Sequence, residues 1–219
     1  MMDWTIIIDN AGMLWRAGLT TIWVAGATIV LSVAFAFPLA VMRDSNVVWL
    51  RRVTAGFSWA MRATPALTLL FLSYYGLPQV GIYMNAVPAA IAGLTLSATG
   101  YNLEYIRAGL RAVPATQKEA ARALGMPPAM ILRRIIVPQA IRTIMPPLTS
   151  NLTLIVKGSS LAGLVAVTEL TGAGMAIIST TYRPFEVLTV IAIVYLILNG
   201  ALIRFQYWVE RRLSFEALG

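Results

Sequence analysis

The chain has 219 residues, of which 58% are hydrophobic and only 12% are charged, and its mean hydropathy is +0.75. A soluble domain carries about 25% charged residues, so this composition indicates an integral membrane protein. The absence of cysteine and histidine excludes disulfides, thiolate metal sites and histidine-based catalysis, and no catalytic or metal-binding residue is expected. The net charge of +8 lies in segments that flank apolar runs, a pattern typical of membrane proteins rather than of nucleic-acid binding.

The apolar runs predict five membrane-spanning helices, since about 20 apolar residues cross a bilayer. The long uncharged run from 63 to 103 holds two spans, because turn residues divide it in the middle. The later apolar stretch is interrupted by Lys157 and Glu169, which predicts one span followed by broken or re-entrant structure. The expected spans, all within one transmembrane domain over residues 1–219, are 17–42, 60–77, 86–104, 143–165 and 186–206.

Lysine and arginine are distributed unevenly between the segments that connect these spans. They cluster after the first span, between the third and fourth, and after the fifth, whereas the opposite side has only Arg16 and Arg183. Cytoplasmic loops carry the excess of basic residues. The sequence therefore predicts an external N terminus, a cytoplasmic C terminus and a cytoplasmic loop over 105–142.

Within that loop, residues 118–125 read KEAARALG and predict a polar, alanine-rich helix of about two turns. Glu119 suits the positive end of the helix dipole. Gly125 can adopt the left-handed conformation that ends a helix, and Pro127 and Pro128 prevent its continuation. A helix too short and too charged to span a bilayer fits a docking element for a soluble partner. The alternative is an ordinary solvated connecting helix.

Five polar residues interrupt apolar sequence, where they are costly and often functional. Lys157 precedes the hydroxyls of Ser159 and Ser160 at an expected helix break, where free backbone groups can bind a zwitterion. With Glu169 and Arg62 they are predicted to line the path of a solute, Glu169 being favoured for cationic groups. The alternatives are a structural ion pair for Lys157, a solvated outer carboxylate for Glu169 and a snorkelling anchor for Arg62.

No G-x-x-x-x-G-K-[ST] phosphate-binding loop occurs in the sequence. The chain is therefore not expected to hydrolyse a nucleotide. If it drives transport, the energy enters through a partner or an ion gradient.

A series of short motifs recurs in a characteristic order along nearly the whole chain. The motifs are Gly18-Leu19-Thr20-Thr21, Arg62-Ala63-Thr64-Pro65, Tyr74-Tyr75-Gly76-Leu77-Pro78, Glu104-x-x-Arg107-x-Gly109, Val113-Pro114-x-x-Gln117, Glu119-Ala120-Ala121-x-x-Leu124-Gly125, Pro138-Gln139-Ala140 and Lys157-x-Ser159-Ser160-Leu161. Together they resemble the permease subunit of bacterial ATP-binding-cassette (ABC) importers of the polar amino acid uptake family. Three positions depart from that family: Ala63 and Thr116 replace glycine, and Gly158 replaces the usual Asp or Asn.

The resemblance implies an all-α membrane protein with the five-helix type I ABC importer permease fold and a cytoplasmic coupling helix. It assigns ATPase coupling to Lys118, Glu119, Ala120, Ala121, Arg122, Leu124 and Gly125. It implies no cofactor in this chain, because ATP is bound by the partner subunit. The implied partners are two cytoplasmic ATPases, a second permease (another copy or a paralogue) and a periplasmic or lipid-anchored solute-binding protein, assembled at the bacterial inner membrane.

The resemblance further implies import of a polar or charged amino acid delivered by the external binding protein. Another small polar solute, such as an opine or an ectoine-like compound, is an alternative within the same family. A secondary transporter or channel subunit without an ATPase, and a membrane scaffold without a transport role, are the alternatives from other classes. An inverted repeat or an intramembrane carboxylate relay would favour the secondary transporter.

Overall fold

The structure is a computed structural model that describes residues 4–215, and these residues form helices and no strand. A short helix α1 (Thr5–Asp9) precedes α2 (Ala11–Arg43), which is 33 residues long. The buried residues of α2 are mostly small and recur every three or four positions, so one narrow face packs inward while large apolar side chains point outward. This buried face includes Ala17, Thr21, Ala25, Thr28, Ser32, Ala36 and Ala40.

The chain next forms α3 (Val48–Ala63) and α4 (Ala66–Phe71), which continues through a π-helical turn (Leu72–Gly76) and a 3₁₀ turn (Leu77–Val80). Thr64 between them is extended, as is common for a residue that precedes proline. The predicted span 60–77 therefore contains a break near its start, at Thr64 and Pro65, and its bounds as a membrane span stay a prediction. The interruption separates the amphipathic α3 from the apolar segment that follows it.

Helix α5 (Ala86–Ala112) lies at the centre of the bundle and packs against α2, α3, α4 and α8. Glycines allow neighbouring helices to approach it closely. A Cβ atom at Gly93 would lie 2.7 Å from the Cα atom of Leu70, and one at Gly100 would lie 2.7 Å from the Cβ atom of Met61. A larger residue at either position would push the neighbouring helix away.

After α5 the chain forms α6 (Ala115–Ala123), so a short helix occurs where one was predicted. It begins three residues before Lys118, and Glu119 therefore lies beyond the first turn, away from the positive end of the helix dipole. Gly125 adopts φ = 72°, and the N–H groups of Gly125 and Met126 donate to the carbonyls of Arg122 and Ala121. These bonds form the Schellman motif that ends many helices. The predicted stop at Gly125 is thus confirmed.

Helix α7 (Pro128–Ile131) and a π-helical turn (Leu132–Ile136) lead directly into α8 (Val137–Ser159). The sequence predicts one cytoplasmic loop over 105–142. Its first eight residues instead extend α5, and its last residues belong to α8. Pro138 does not interrupt the helix, because it lies in the first turn of α8, where proline is tolerated.

The predicted break after Lys157 is confirmed. Helix α8 gives way to a 3₁₀ turn (Ser160–Val165), Ala166 adopts φ = 61°, and α9 (Leu170–Thr181) begins after a short connection. The N–H of Leu170 donates to the hydroxyl of Thr21 in α2 at 3.0 Å, which fixes the start of α9. The last helix, α10 (Pro184–Phe215), packs against α8 and α9.

Within the described residues, three helices are long and apolar enough to cross a membrane: Ala11–Arg43, Pro128–Val165 and Pro184–Leu213. The segment Ala66–Val80 is apolar but shorter. Helix α5 is long enough, yet its buried face carries Thr95, Thr99 and Asn102, which lower its hydropathy. The count of five spans stays a prediction.

Candidate functional site

A cavity of about 340 Å³ lies beside the interruption between α3 and α4. The backbone leaves the helical path at Thr64 and Pro65, so this junction contributes to the cavity wall together with α2, α5 and α8. The lining residues are Thr28, Arg62, Ala63, Thr64, Pro65, Ala66, Leu94, Ser97, Ala98, Tyr101, Asn151, Leu154, Ile155 and Gly158.

The wall that α2 contributes carries a hydroxyl without a partner. Thr28 is fully buried, and its Oγ1 has no hydrogen bond within the described chain. Leaving a buried polar group unpaired costs about 1–3 kcal/mol, so native proteins almost always satisfy such groups. Thr28 is also one of the residues that line the cavity.

A chain of buried hydrogen bonds supports the polar wall on α8. The Nδ2 of Asn151 donates to Oδ1 of Asn102 at 2.7 Å, and the Nδ2 of Asn102 donates to the hydroxyl of Ser32 at 3.0 Å. All three side chains are buried, and they belong to α8, α5 and α2. Because each amide is held by its neighbour, Asn151 presents a fixed polar surface to the cavity.

Arg62 is the ionised side chain among the lining residues. Its Nε donates to the carbonyl of Ser58 at 3.3 Å, and its Nη2 lies 3.9 Å from Oε1 of Glu104. The Arg62 side chain remains 42% exposed. The backbone carbonyl of Arg62 accepts a long hydrogen bond of 3.5 Å from the hydroxyl of Tyr101. The predicted pathway residue Arg62 therefore lies at the cavity. Ser58 and Glu104 hold its guanidinium group, which remains partly exposed.

A cluster of charges surrounds Glu104 on the side of the cavity toward the end of α2. The Glu104 carboxylate accepts a hydrogen bond of 2.8 Å from Ser58 and forms an ion pair of 3.1 Å with Arg107. Arg43 and Arg62 each lie 3.9 Å from the same carboxylate. Three guanidinium groups thus share one acid.

Asp44 connects this cluster to the end of α2. It accepts hydrogen bonds of 2.9 Å from Nε of Arg107 and 2.8 Å from Nε of Arg111. Partial burial alone would raise the pKa of the Asp44 carboxyl, but the bonds from Arg111 and Arg107 outweigh it and hold that pKa below its ordinary value. The ion pairs therefore join α2 to α5 while Asp44 is ionised.

The residues predicted at the helix break do not line the cavity, although they follow its wall on α8. Lys157 is exposed and has no ion pair within residues 4–215. The hydroxyl of Ser159 donates to the carbonyl of Val156, and that of Ser160 donates to the carbonyl of Lys157, both at 2.7 Å. The two hydroxyls thus satisfy the carbonyls of the ending helix.

Glu169 is fully buried, so the alternative of a solvated outer carboxylate is wrong. Its carboxylate caps α9 by accepting bonds from the N–H groups of Thr171 at 2.9 Å and Gly172 at 2.7 Å, and it accepts a third from the hydroxyl of Tyr195 at 2.9 Å. A Cβ atom at Gly163 would lie 2.9 Å from Oε1, so this glycine leaves room for the carboxylate. These contacts hold the break, α9 and α10 together.

The predicted coupling residues lie on and just after α6. Ala121 is buried and Lys118 is half-buried. The exposed residues are Glu119, Ala120, Arg122 and Gly125. Leu124 is 81% exposed at the end of the helix. These residues are therefore accessible on the surface of the described chain, and their role in coupling stays a prediction.

Sequence reasoning missed Thr28, Asn102, Asn151 and the role of Glu104. The signal for Thr28 was present, because polar residues recur at helical spacing in the apolar α2. Glu104 and Arg107 are three residues apart, a spacing at which side chains on a helix meet. Asn151 had no local signal, since its partner Asn102 lies 49 residues away.

Comparison with known proteins gives a consistent picture. Residues 29–215 match the family described as "Binding-protein-dependent transport system inner membrane component". An octopine transport system permease protein of Rhizobium meliloti is 38% identical over 200 residues, which covers 84% of this chain and 82% of that protein. A probable glutamine ABC transporter permease protein of Bacillus subtilis is 33% identical over 162 residues, 74% of each chain.

Solved structures resemble the fold over almost its whole length. A crystal structure of an amino acid ABC transporter with histidines matches with a TM-score of 0.88 and 31% identity, covering 97% of this chain and 99% of that chain. An inward-facing structure of the MetNI methionine ABC transporter matches with a TM-score of 0.68 and 22% identity, covering 95% and 99%. The second likeness concerns the fold alone.

Proposed function

The chain belongs to the family of inner membrane components of binding-protein-dependent transport systems, and from this premise we propose that it forms the translocation path of an ATP-driven importer for amino acids or opines. Its relatives are permease subunits of ABC transporters, so the chain is a non-catalytic subunit. Membership of this family sets aside the secondary transporter, the channel and the scaffold.

The observation on which the proposal depends is the cavity beside the α3–α4 junction, whose mostly apolar wall includes a few polar side chains. It offers the guanidinium of Arg62, the unpartnered hydroxyl of Thr28 and the fixed amide of Asn151. A carboxylate needs donors such as these, and an amino acid or opine carries at least one carboxylate. A permease with this cavity can hold the solute while it passes through the bilayer.

The remaining pathway residues have different tasks in this proposal. Lys157 is exposed and precedes the lining residue Gly158, and its predicted place on the solute path stays a prediction. Ser159 and Ser160 end α8. Glu169 holds α9 and α10 in place, and its predicted contact with a cationic solute stays a prediction.

We propose that the exposed surface of α6 and Leu124 docks against a cytoplasmic ATPase. The assembly would contain two such ATPases, a second permease and an external solute-binding protein. The second permease is either another copy of this chain or a paralogue. ATP would be bound by the ATPase partners, and their closure would move the permeases between inward-facing and outward-facing states.

The proposal also includes a single five-span transmembrane domain in the bacterial inner membrane. Helices α2, α4, α5, α8 and α10 would cross it, with the N terminus outside and the C terminus in the cytoplasm. The basic residues at the ends of α2 and α5, on α6 and on the last turns of α10 support this orientation.

Two buried threonines without hydrogen-bond partners allow a matched test. Thr28 lines the cavity, whereas Thr95 lines a separate apolar groove. Thr28→Val keeps the shape of the side chain but removes the hydroxyl, so uptake by proteoliposomes containing the complete transporter should fall about 2- to 10-fold, as expected for one lost hydrogen bond.

Thr95→Val serves as the control and should leave uptake unchanged. Equal uptake by the native protein and the Thr28→Val variant would show that the solute does not pass through this cavity. If the native transporter imports no amino acid and no opine, the proposed function itself is wrong.

A further inference from the structure

Helix α3 exposes apolar residues and buries polar ones. Val53 and Trp59 are 57% and 69% exposed. Thr54 and Ser58 are buried, and the hydroxyl of Ser58 donates to the carboxylate of Glu104 on α5 at 2.8 Å. This arrangement is the reverse of a surface helix in water, so the outer face of α3 is suited to contact with lipid.

An apolar groove of about 720 Å³ adjoins this face, between α2, α3 and α5. Phe57 forms its wall on α3, one turn after Val53, and Phe35 and Leu39 form part of its wall on α2. All other lining residues are apolar except two threonines on α5. A groove of this composition favours a hydrocarbon chain, because burial of apolar surface is the main gain that its walls offer.

One end of the groove leads to basic residues. Leu39 precedes Arg43 by four residues on α2, about 6 Å along the helix axis. The Nη1 of Arg43 donates to the carbonyl of Arg51 at 3.4 Å, which joins the end of α2 to the first turns of α3. Arg51 and Arg52 are exposed, and neither forms an ion pair within residues 4–215.

The neighbouring sequence supplies no acid to these arginines. Residues 45–103 contain neither Asp nor Glu. Asp44, just before this segment, forms ion pairs with Arg107 at 2.9 Å and with Arg111 at 2.8 Å. A positive surface therefore lies at this end of the groove, and it attracts anionic groups.

We propose that the groove binds an anionic phospholipid, with an acyl chain between α2, α3 and α5 and the phosphate at Arg51 and Arg52. A guanidinium group donates two hydrogen bonds at once to phosphate oxygens, and basic residues beside a membrane helix attract anionic lipids. Trp49, which is 63% exposed in the first turn of α3, carries the amphipathic ring that favours the headgroup level.

Both parts of the lipid contribute to this binding. Free phosphate would meet the exposed arginines in water, where the attraction between charges is weak, and it would leave the groove unfilled. A phosphatidylcholine fills the groove equally well, but its trimethylammonium group is repelled by the arginines. The site therefore selects a lipid that has long chains and a net negative headgroup.

The test compares phosphatidylglycerol with phosphatidylcholine of identical chains. Native mass spectrometry of the full chain in detergent measures the dissociation constant of each lipid. The native chain should bind phosphatidylglycerol more tightly. In the double variant Arg51→Gln/Arg52→Gln this preference should fall about tenfold or more, which corresponds to about 1.4 kcal/mol.

Arg204→Gln/Arg211→Gln is the matched control. It removes two exposed arginines on α10 that also form no ion pair within the described residues. Its preference should stay within about twofold of the native value, because basic residues attract lipid only at short range. Leu96→Trp places an indole in the groove, so it should weaken the binding of both lipids and keep the preference between them. Monodisperse elution establishes that the variants are folded.

An unchanged preference in Arg51→Gln/Arg52→Gln would overturn the proposal, and so would native affinities for both lipids in Leu96→Trp. Displacement of phosphatidylglycerol by inorganic phosphate would show that the arginines bind the anion without the chains, which also contradicts it.

A photoreactive maleimide on Leu31→Cys identifies the occupant of the groove directly, since the chain has no native cysteine. In vesicles with equal amounts of the two lipids, the complete transporter should yield an adduct enriched in phosphatidylglycerol. Labelling of a second permease instead would place that subunit in the groove and overturn the proposal.

Discussion

Among the individual residues, Glu169 departs most from its sequence-based interpretation. A carboxylate that interrupts an apolar run suggests a contact with a cationic solute. The structure places this carboxylate at the start of α9, where three donors from Thr171, Gly172 and Tyr195 surround it. Sequence alone showed that the position is special, but the partner on α10 lies 26 residues away and has no local signature.

We expect Glu169→Gln to lower thermal stability, because the carboxylate accepts three hydrogen bonds in the folded protein. A glutamine amide can accept fewer of the three bonds, and its NH₂ group would oppose a backbone donor. The loss should be about 1–3 kcal/mol, typical of an unsatisfied buried group. Thermal unfolding of the purified protein in detergent measures it.

Tyr195→Phe provides the comparison, because it removes one of the three donors and should cost less than Glu169→Gln. A Glu169→Gln protein of native stability with altered preference between arginine and glutamate would restore the original interpretation, in which this carboxylate contacts the solute.

Asp44 gives a prediction about pH. Its pKa is below the ordinary value in the folded protein, so its ion pairs stabilise the fold fully above about pH 4, the ordinary range of an aspartate. That contribution is lost as pH falls through the lowered pKa. The thermal midpoint should therefore fall more steeply below pH 4 in the native protein than in Asp44→Asn, which lacks the charge at every pH. Parallel pH profiles would contradict this role.

At the scale of elements, the sequence predicted helix ends well where the cause is local. Gly125 ends α6 through its left-handed conformation, and the break after Lys157 occurs where expected. The effect of a proline is harder to predict. Pro65 separates α3 from α4 within the predicted span 60–77, whereas Pro138 lies in the first turn of α8, where proline is tolerated. Which effect a proline has depends on where the neighbouring helix begins, and tertiary packing decides that.

The end of α6 can be tested with two glycines of similar conformation. Gly125 and Gly81 have φ angles of 72° and 83°, and a Cβ atom would meet no other atom within 4 Å at either position. Gly125→Asp places a charged side chain on the proposed ATPase-docking surface. It should therefore abolish solute-coupled ATP hydrolysis in the reconstituted transporter.

Gly81→Asp imposes similar backbone strain in the loop that precedes α5, far along the chain from α6. It should retain coupling, so that any difference between the variants reflects docking rather than strain. Normal coupling in Gly125→Asp would mean that the ATPase binds elsewhere.

At the scale of the whole molecule, composition and periodicity were enough to predict a helical membrane protein, and the order of motifs was enough to predict its family. The cavity could not be predicted from the sequence, because its walls come from four segments between Thr28 and Gly158. Helix α5 illustrates the difficulty. Its polar residues pack inward against α2 and α8, so its hydropathy understates how deeply it is buried.

The orientation of the chain is the prediction on which the solute path and the docking surface both depend. No native cysteine is present, so single cysteines report their own position without background. A cysteine at Thr5 should react with a membrane-impermeant maleimide added to intact cells. A cysteine at Glu119 should react only after the membrane is opened, because the basic segment around it belongs in the cytoplasm.

A cysteine at Gly81 completes the test by probing the connection between α4 and α5. It should react from outside if α4 crosses the membrane despite its short length, and it should stay protected if α3 and α4 remain on the cytoplasmic side. External reaction at residues 5 and 81 but not at residue 119 requires a crossing by α5 and is the pattern expected when α2 and α4 both cross. Any other pattern would remove at least one of the five proposed spans or invert the protein. External reaction at residue 119 would place the exposed surface of α6 in the wrong compartment for an ATPase.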